Sequence, residues 1–441
     1  MPGKAYLGDL RFLQLPLGYI VGRVAVARLL LPRYFEGDSL TAYEVLGRRF
    51  GPGVKRLTSL LFLVTRSLAD GLCLYLTVLP LQKLTGMPLP AAVAVMALVT
   101  VVYTFVGGMK AVVWTDVVQF FLYVGGGVLA VAVACGDLDG GLGGLLARAG
   151  DAGKLRLFDL SAALDSGDTL WVGLIGGAFI TLASHGADQL MVQRYLCARS
   201  QRQAAVALVA SGVVVLLQFA LFLLLGLALW SWFGAHPPAA ALTKGDEVVP
   251  LFIVTRLTAI PGAVGVILGA LFAVSMSTLS SSLNASAAAL VNDHLRPSIG
   301  KEWDDARALR ATKCATLLFC AIQAACGLVG GRFAGSVVDA VLQIASFTTG
   351  VTLGLFFLAR AAPRASGRAA FVAALVGLAA MVAIACAKPI GGRAIHGLWY
   401  SCIGSTITLG VGVAAAAVLP RGRRDDAAPP PPLPPGRSEG G

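Results

Sequence analysis

Charge is what this sequence is short of. Only 13% of its 441 residues are Asp, Glu, Lys or Arg, against roughly 25% in an average soluble domain, while 57% are hydrophobic. A water-soluble globule is thereby excluded, because apolar runs near the ~20 residues needed to cross a hydrocarbon core recur along almost the whole length. No room is left for a sizeable soluble domain. The eight cysteines fall in or at the ends of apolar runs without CxxC or His-paired spacing, so neither a zinc site nor a redox motif is indicated and packing is the plainer role. No loop assembles a nucleophile, a base and an oxyanion donor, so enzymatic activity is not expected. No charged n-region with a short apolar stretch and a small-residue cleavage site precedes the first span, so a removable signal peptide is not expected.

The charge that is present is unevenly placed. A net charge of +12 suggests a nucleic-acid partner only when the basic residues share a face, and here they sit in short loops between apolar runs. They read as topology signals. Runs bounded by charge, Pro or Gly fall near 10–32, 57–82, 88–107, 112–135, 169–190, 204–233, 262–290, 311–331, 336–359, 368–387 and 397–419, about eleven helices. Alternate loops hold most of the Lys and Arg, from Arg33, Arg48, Arg49 and Lys55 through Arg194, Arg199 and Arg202 to Arg421, Arg423 and Arg424. The bias toward basic cytoplasmic loops puts these inside, with the acidic loop 136–168, Met1 and the Pro-containing loop near 236–250 outside. The expected organisation is a transmembrane domain over 1–424 and a disordered, Pro-rich cytoplasmic tail over 425–441.

Ionisable groups inside a span are costly and mark function by default. Four places qualify: Arg66 with Asp70, Asp116, His185 with Asp188, and Asp339. Arg66 and Asp70, four apart on one helix face, either neutralise each other or leave a guanidinium to grip a substrate carboxylate. Asp116 follows a turn expected at Gly107–Lys110 and either caps the next helix or is a buried ligand. Ser277, Ser280 and Ser281 stand at i, i+3 and i+4 in the seventh span, a spacing that serves close helix packing or supplies several oxygens to a hard cation.

Three segments resemble the sodium/solute symporter family in the same order and spacing: TFVGGMKAVVWTDVVQ (104–119), GADQLMVQRYLCARSQRQA (186–204) and AVSMSTLSSSLNASAAALVNDHLRP (273–297). The likeness runs from about Leu7 to Pro420 and implies an all-α, polytopic bundle with the inverted-repeat fold of the leucine transporter, a secondary transporter driven by Na+ with no organic cofactor. The resemblance implies a common sodium site at Val274, Ser277 and Thr278, and a second at Asp116, Ser277, Ser280 and Ser281. It implies substrate contacts at Ser184, His185 and Gln343, with Arg66 in the region where acidic-sugar carriers hold a carboxylate. His185 has the alternative of a core histidine bonded to a backbone carbonyl. An organic anion or acidic sugar is the expected solute, taken up by a monomer in the inner membrane. The count of spans is two short of the family layout, so the first two helices are expected to be missing, through a start assigned too far downstream or a real truncation. A truncated chain leaves two other readings, a non-transporting sensor of sodium or solute and an inactive remnant. A channel is the further alternative.

Overall fold

Lipid offers no hydrogen bonds, so each apolar run must satisfy its own backbone, and helix is the form open to it. The computed structural model describes residues 1–36, 40–163, 166–238, 242, 245–299, 303–330, 337–386 and 395–419, with some side chains inside helices left out. Among the described residues there is no strand. The elements that matter below are α1 (Leu15–Leu29), α2 (Ala42–Phe50), α3 (Pro52–Thr85), α4 (Leu89–Gly136), α5 (Gly177–Gly186), α6 (Gln189–Leu196) and α7 (Gln201–Ala235). They continue with α8 (Val248–Thr255), α9 (Ala263–Ala289), α10 (Asp305–Gly330), α11 (Val337–Ala361), α12 (Gly367–Cys386) and α13 (Tyr400–Val418). Seven described helices are long and apolar enough to cross a membrane, and shorter apolar helices cover 89–102, 172–186, 248–259 and 347–361.

Each expected span is therefore helical, with two corrections. The turn expected at Gly107–Lys110 is not a break, because α4 is helical from Leu89 to Gly136. Glycine weakens a helix in water largely by exposing its backbone, and lipid removes that competitor. The outer loop near 236–250 also runs into an apolar helix, α8, which buries Phe252 and Ile253 against α7. The expected tail, 425–441, lies outside the described residues.

The surface is the reverse of a soluble protein's. Phe121 and Leu217 are 68% and 65% exposed, while Thr58, Ser59, Asp70 and Gln189 are buried. Apolar side chains face lipid and polar ones turn inward, which inverts the arrangement that water imposes. The two ends of the bundle are tied differently. At one end Arg11 pairs with Asp159 at 2.6 Å and Arg256 donates to Asp137 at 2.8 Å, and Lys154 reaches the carbonyls of Tyr6 and Gly8. The Ser161 backbone N–H and hydroxyl, with the Arg11 guanidinium, hold Asp159 down at about 2. Depressed below its unfolded value, that carboxylate keeps its partners until the pH falls toward 2. At the other end Lys55 pairs with buried Asp293 at 3.1 Å, and Arg49 donates to the carbonyls of Ala362 and Pro363.

A close helix contact is made by glycines. A Cβ on Gly18 of α1 would overlap the Gly173 carbonyl oxygen, and one on Gly22 would stand 2.6 Å from that of Ala178; a Cβ on Gly177 would meet the Leu15 carbonyl oxygen at 2.7 Å. Two Gly-x-x-x-Gly faces thus let α1 and the start of α5 approach backbone to backbone, where packing supplies the attraction that lipid denies to apolar contact alone. Replacing Gly22 with Val should force the helices apart and destabilise the protein by about 1–3 kcal/mol, as overpacked cores do. The check is the melting temperature of the detergent-solubilised protein, and an unchanged value would contradict the close packing.

Candidate functional site

The serine-rich stretch of α9 meets two carboxylates on two different faces. On one face the Ser277 hydroxyl donates to Asp116 of α4. Arg194 of α6 pairs with the other carboxylate oxygen at 2.8 Å and donates to the Ser281 hydroxyl at 2.6 Å through the same Nη2. On the second face the Ser282 hydroxyl donates to Asp70 of α3, which also pairs with Arg66 at 2.8 Å. Arg66 Nε stands 3.2 Å from the Ser282 hydroxyl, and the Gln323 amide of α10 reaches both Asp70 and that hydroxyl at 3.4 Å. Ser275 shares a 2.6 Å hydrogen bond with Thr77 of α3. Residues 277 and 281 lie one turn apart, and 275 and 282 two turns apart, so a period of 3.6 sends the pairs to separate neighbours.

Of the expected sodium ligands, Asp116, Ser277 and Ser281 are brought together. Ser280 is buried beside them and donates to the Ser277 carbonyl at 3.2 Å. Thr278 is half-buried on α9, and the side chain of Val274 lies outside the described ones. Asp116 sits deep within α4, so the capping alternative is corrected: its carboxylate is spent on side chains of other helices. Carboxylate and hydroxyl oxygens at such range suit a hard cation. The cation seated there is the Arg194 guanidinium, bridging Asp116 and Ser281. Sequence reasoning placed Arg194 in a cytoplasmic loop and missed it, since nothing in the residues from 116 to 194 signals that they meet.

On the expected substrate side, the Ser184 hydroxyl and His185 Nδ1 lie 2.9 Å apart at the end of α5, and His185 Nε2 meets Arg23 of α1 at 3.2 Å. His185 and Asp188, singled out as one ionisable place in the span, go to different partners. Asp188 caps α6, accepting from the Leu190 backbone N–H at 2.8 Å, because the chain breaks helix there and leaves an N-terminal donor to satisfy. Arg66, Asp188, Thr65, Thr348 and Tyr43 line a small cleft between α2, α3, α11 and the start of α6. Among the described residues no hydrogen bond joins Arg66 to Ser184 or His185. The side chains of Gln343 and Asp339 lie outside the described ones. Arg66 is thus neutralised in place by Asp70, the first of its two alternatives.

Many membrane-crossing helices around buried ion pairs and hydroxyls define a multi-pass membrane protein with polar sites inside its bundle. The chain belongs to the sodium:solute symporter family, whose profile matches residues 1–377. It is 28% identical to the human sodium/iodide cotransporter over 81% of this chain and 56% of that protein. It is 29% identical to the sodium-coupled monocarboxylate transporter 1 of Xenopus laevis over 86% of this chain and 61% of that protein. The chain therefore spans less than two thirds of these relatives' length. A solved structure of a Na+-coupled sialic acid symporter, substrate-bound and outward-open, superposes with a TM-score of 0.83 at 26% identity, covering 96% of this chain and 86% of that one. The fold is that inverted-repeat transporter fold.

Breaking one partner of a buried ion pair leaves the other uncompensated, at about 3–5 kcal/mol. Asp70→Asn and Arg66→Gln should each lower the melting temperature markedly, and the double variant should recover most of the loss. Additive losses in the double variant would mean the two groups do not depend on each other.

Proposed function

We propose that the protein carries out sodium-coupled symport of a small organic anion across the cytoplasmic membrane. The observation that carries this reading is the meeting of Asp116 with the hydroxyl of Ser277 and, through Arg194, that of Ser281 inside the bundle, in a chain of the sodium:solute symporter family. Sodium enters this cage as the Arg194 guanidinium leaves it, one cation replacing another on the same oxygens, so that the carboxylate is never buried without a positive partner. Thr278, Ser280 and the Val274 carbonyl complete the proposed sodium ligands, and Ser184, His185 and Gln343 the proposed solute contacts. Support for an anion comes from relatives whose names specify iodide, monocarboxylate and sialic acid. The cleft beside Arg66 and Asp188 is the proposed inner exit, with the C-terminus in the cytoplasm.

Two measurements test the reading. In proteoliposomes an inward sodium gradient should drive accumulation of at least one member of a panel of carboxylates, and Asp116→Asn should lower the apparent sodium affinity about tenfold or more, a loss of ~1.4 kcal/mol or greater. Accumulation that ignores the sodium gradient, or an unaltered sodium response in the variant, would remove the proposal. For orientation, the free and exposed thiol of Cys197, just after α6, kept as the single cysteine, should react with a membrane-impermeant maleimide only once cells are opened. Labelling in intact cells would reverse the topology.

A further inference from the structure

Arg66 and Arg23 both stand inside this bundle, and their surroundings differ in one respect. Arg66 is neutralised by Asp70 and further engaged by Ser282. Arg23, in the middle of α1 and only 5% exposed, has no carboxylate partner among the described residues. Its one hydrogen bond among them runs to His185 Nε2 at 3.2 Å, and its Nε and Nη1 are buried with no partner there.

The neighbours add one acceptor and no negative charge. Arginine can only donate, so His185 Nε2 accepts, and the imidazole is the neutral tautomer whose Nδ1–H donates to the Ser184 hydroxyl at 2.9 Å. The Tyr195 hydroxyl of α6 is itself buried and unpartnered among the described residues, and Tyr195 and Tyr19 both lie within electrostatic reach of Arg23. From α7 the facing residue is Gly212, where a Cβ would already stand 3.3 Å from Arg23 Nη1. The other nearby cation, Arg194, has its charge taken up by Asp116. A full positive charge and three unspent donor atoms thus lie on α1 and α6, with His185 of α5 holding the guanidinium and a side chain withheld on α7.

A buried cation without a counter-charge is costly in any interior and more so in a bilayer. Two neutral tyrosines and a neutral histidine do not offset it. What would complete the site is an anion with several acceptor lone pairs, which a carboxylate supplies. We propose that Arg23, with the Tyr195 hydroxyl and oriented by His185, is the site that pairs with the carboxylate of the transported solute, and that Arg66 is a structural partner of Asp70. This rests on the symport reading for the word transported. The anion site itself does not.

The test uses the purified full chain in detergent, without sodium and with it, and follows thermal unfolding against lactate, benzoate and N-acetylneuraminate, each beside its uncharged amide. Sodium iodide against sodium chloride distinguishes a site for inorganic anions. At least one carboxylate, and not its amide, should raise the melting temperature of the unaltered protein. Arg23→Gln should weaken that carboxylate's apparent affinity about thirtyfold or more, while Arg66→Gln, compared at its own lower melting temperature, keeps the response. In the absence of ligand Arg23→Gln should melt at the same temperature or higher, because it removes an uncompensated charge; a structural arginine would give the opposite. The proposal is overturned if no carboxylate stabilises the protein, if Arg23→Gln responds as the unaltered protein does, if iodide alone stabilises it, or if Arg23→Gln melts lower without ligand. Carboxylate binding that persists while sodium-driven accumulation is absent would sink the symport reading and leave this site standing.

Discussion

A bilayer interior supplies no hydrogen bonds and screens no charge, so every polar group carried into it must be answered by another part of the chain. In this protein the answers converge on one helix. The hydroxyls of α9 reach Asp116 and Arg194 on one face, and Asp70, Arg66 and Gln323 on another. Four of the surrounding helices, α3, α4, α6 and α10, meet α9 through side chains that would be intolerable alone in lipid. Small hydroxyl residues suit this role because they let helices come close while still offering donors and acceptors.

The connection also explains why the interior is more specific than its composition suggests. Apolar contacts among Leu, Val and Ala can slide by a residue with little penalty, since lipid tails are as apolar as the side chains they replace. A directed hydrogen bond cannot slide. Displacing α9 by one residue against α4 or α3 would take the Ser277 and Ser282 hydroxyls away from Asp116 and Asp70, leaving each carboxylate short of a donor. Register in this bundle is therefore held by a few polar contacts and, between α1 and α5, by glycine backbones in contact.

Much of this was legible in the residues. Spans follow from the lengths of apolar runs, the pairing of Arg66 with Asp70 from their spacing of four on one helix, and the hydroxyl face from the seryl positions in α9. What was not legible depends on distance along the chain. Asp116 and Arg194 meet across 78 residues, and the sequence around Asp116 is as compatible with a helix start as with the helix interior where it lies. Asp188 was singled out with His185 as an ionisable group inside one span, but the chain ends one helix and begins another between them. The new helix's backbone takes the carboxylate. Arg23 is a different omission: it lies inside an apolar run, GYIVGRVAV, and the rule that singled out Arg66 applies to it equally. Short helices such as α2 and α8 escaped because they are too brief to read as spans and are stabilised by the elements they pack on.

The glycine contact between α1 and the start of α5 has a mechanical side. Backbones that touch over two turns have no side chains between them to re-pack, so the two segments behave as one stiff beam rather than two rods. Arg23 and His185 are mounted on the two halves of that beam. Their separation is thereby set by backbone contact between the two segments rather than by the packing of intervening side chains.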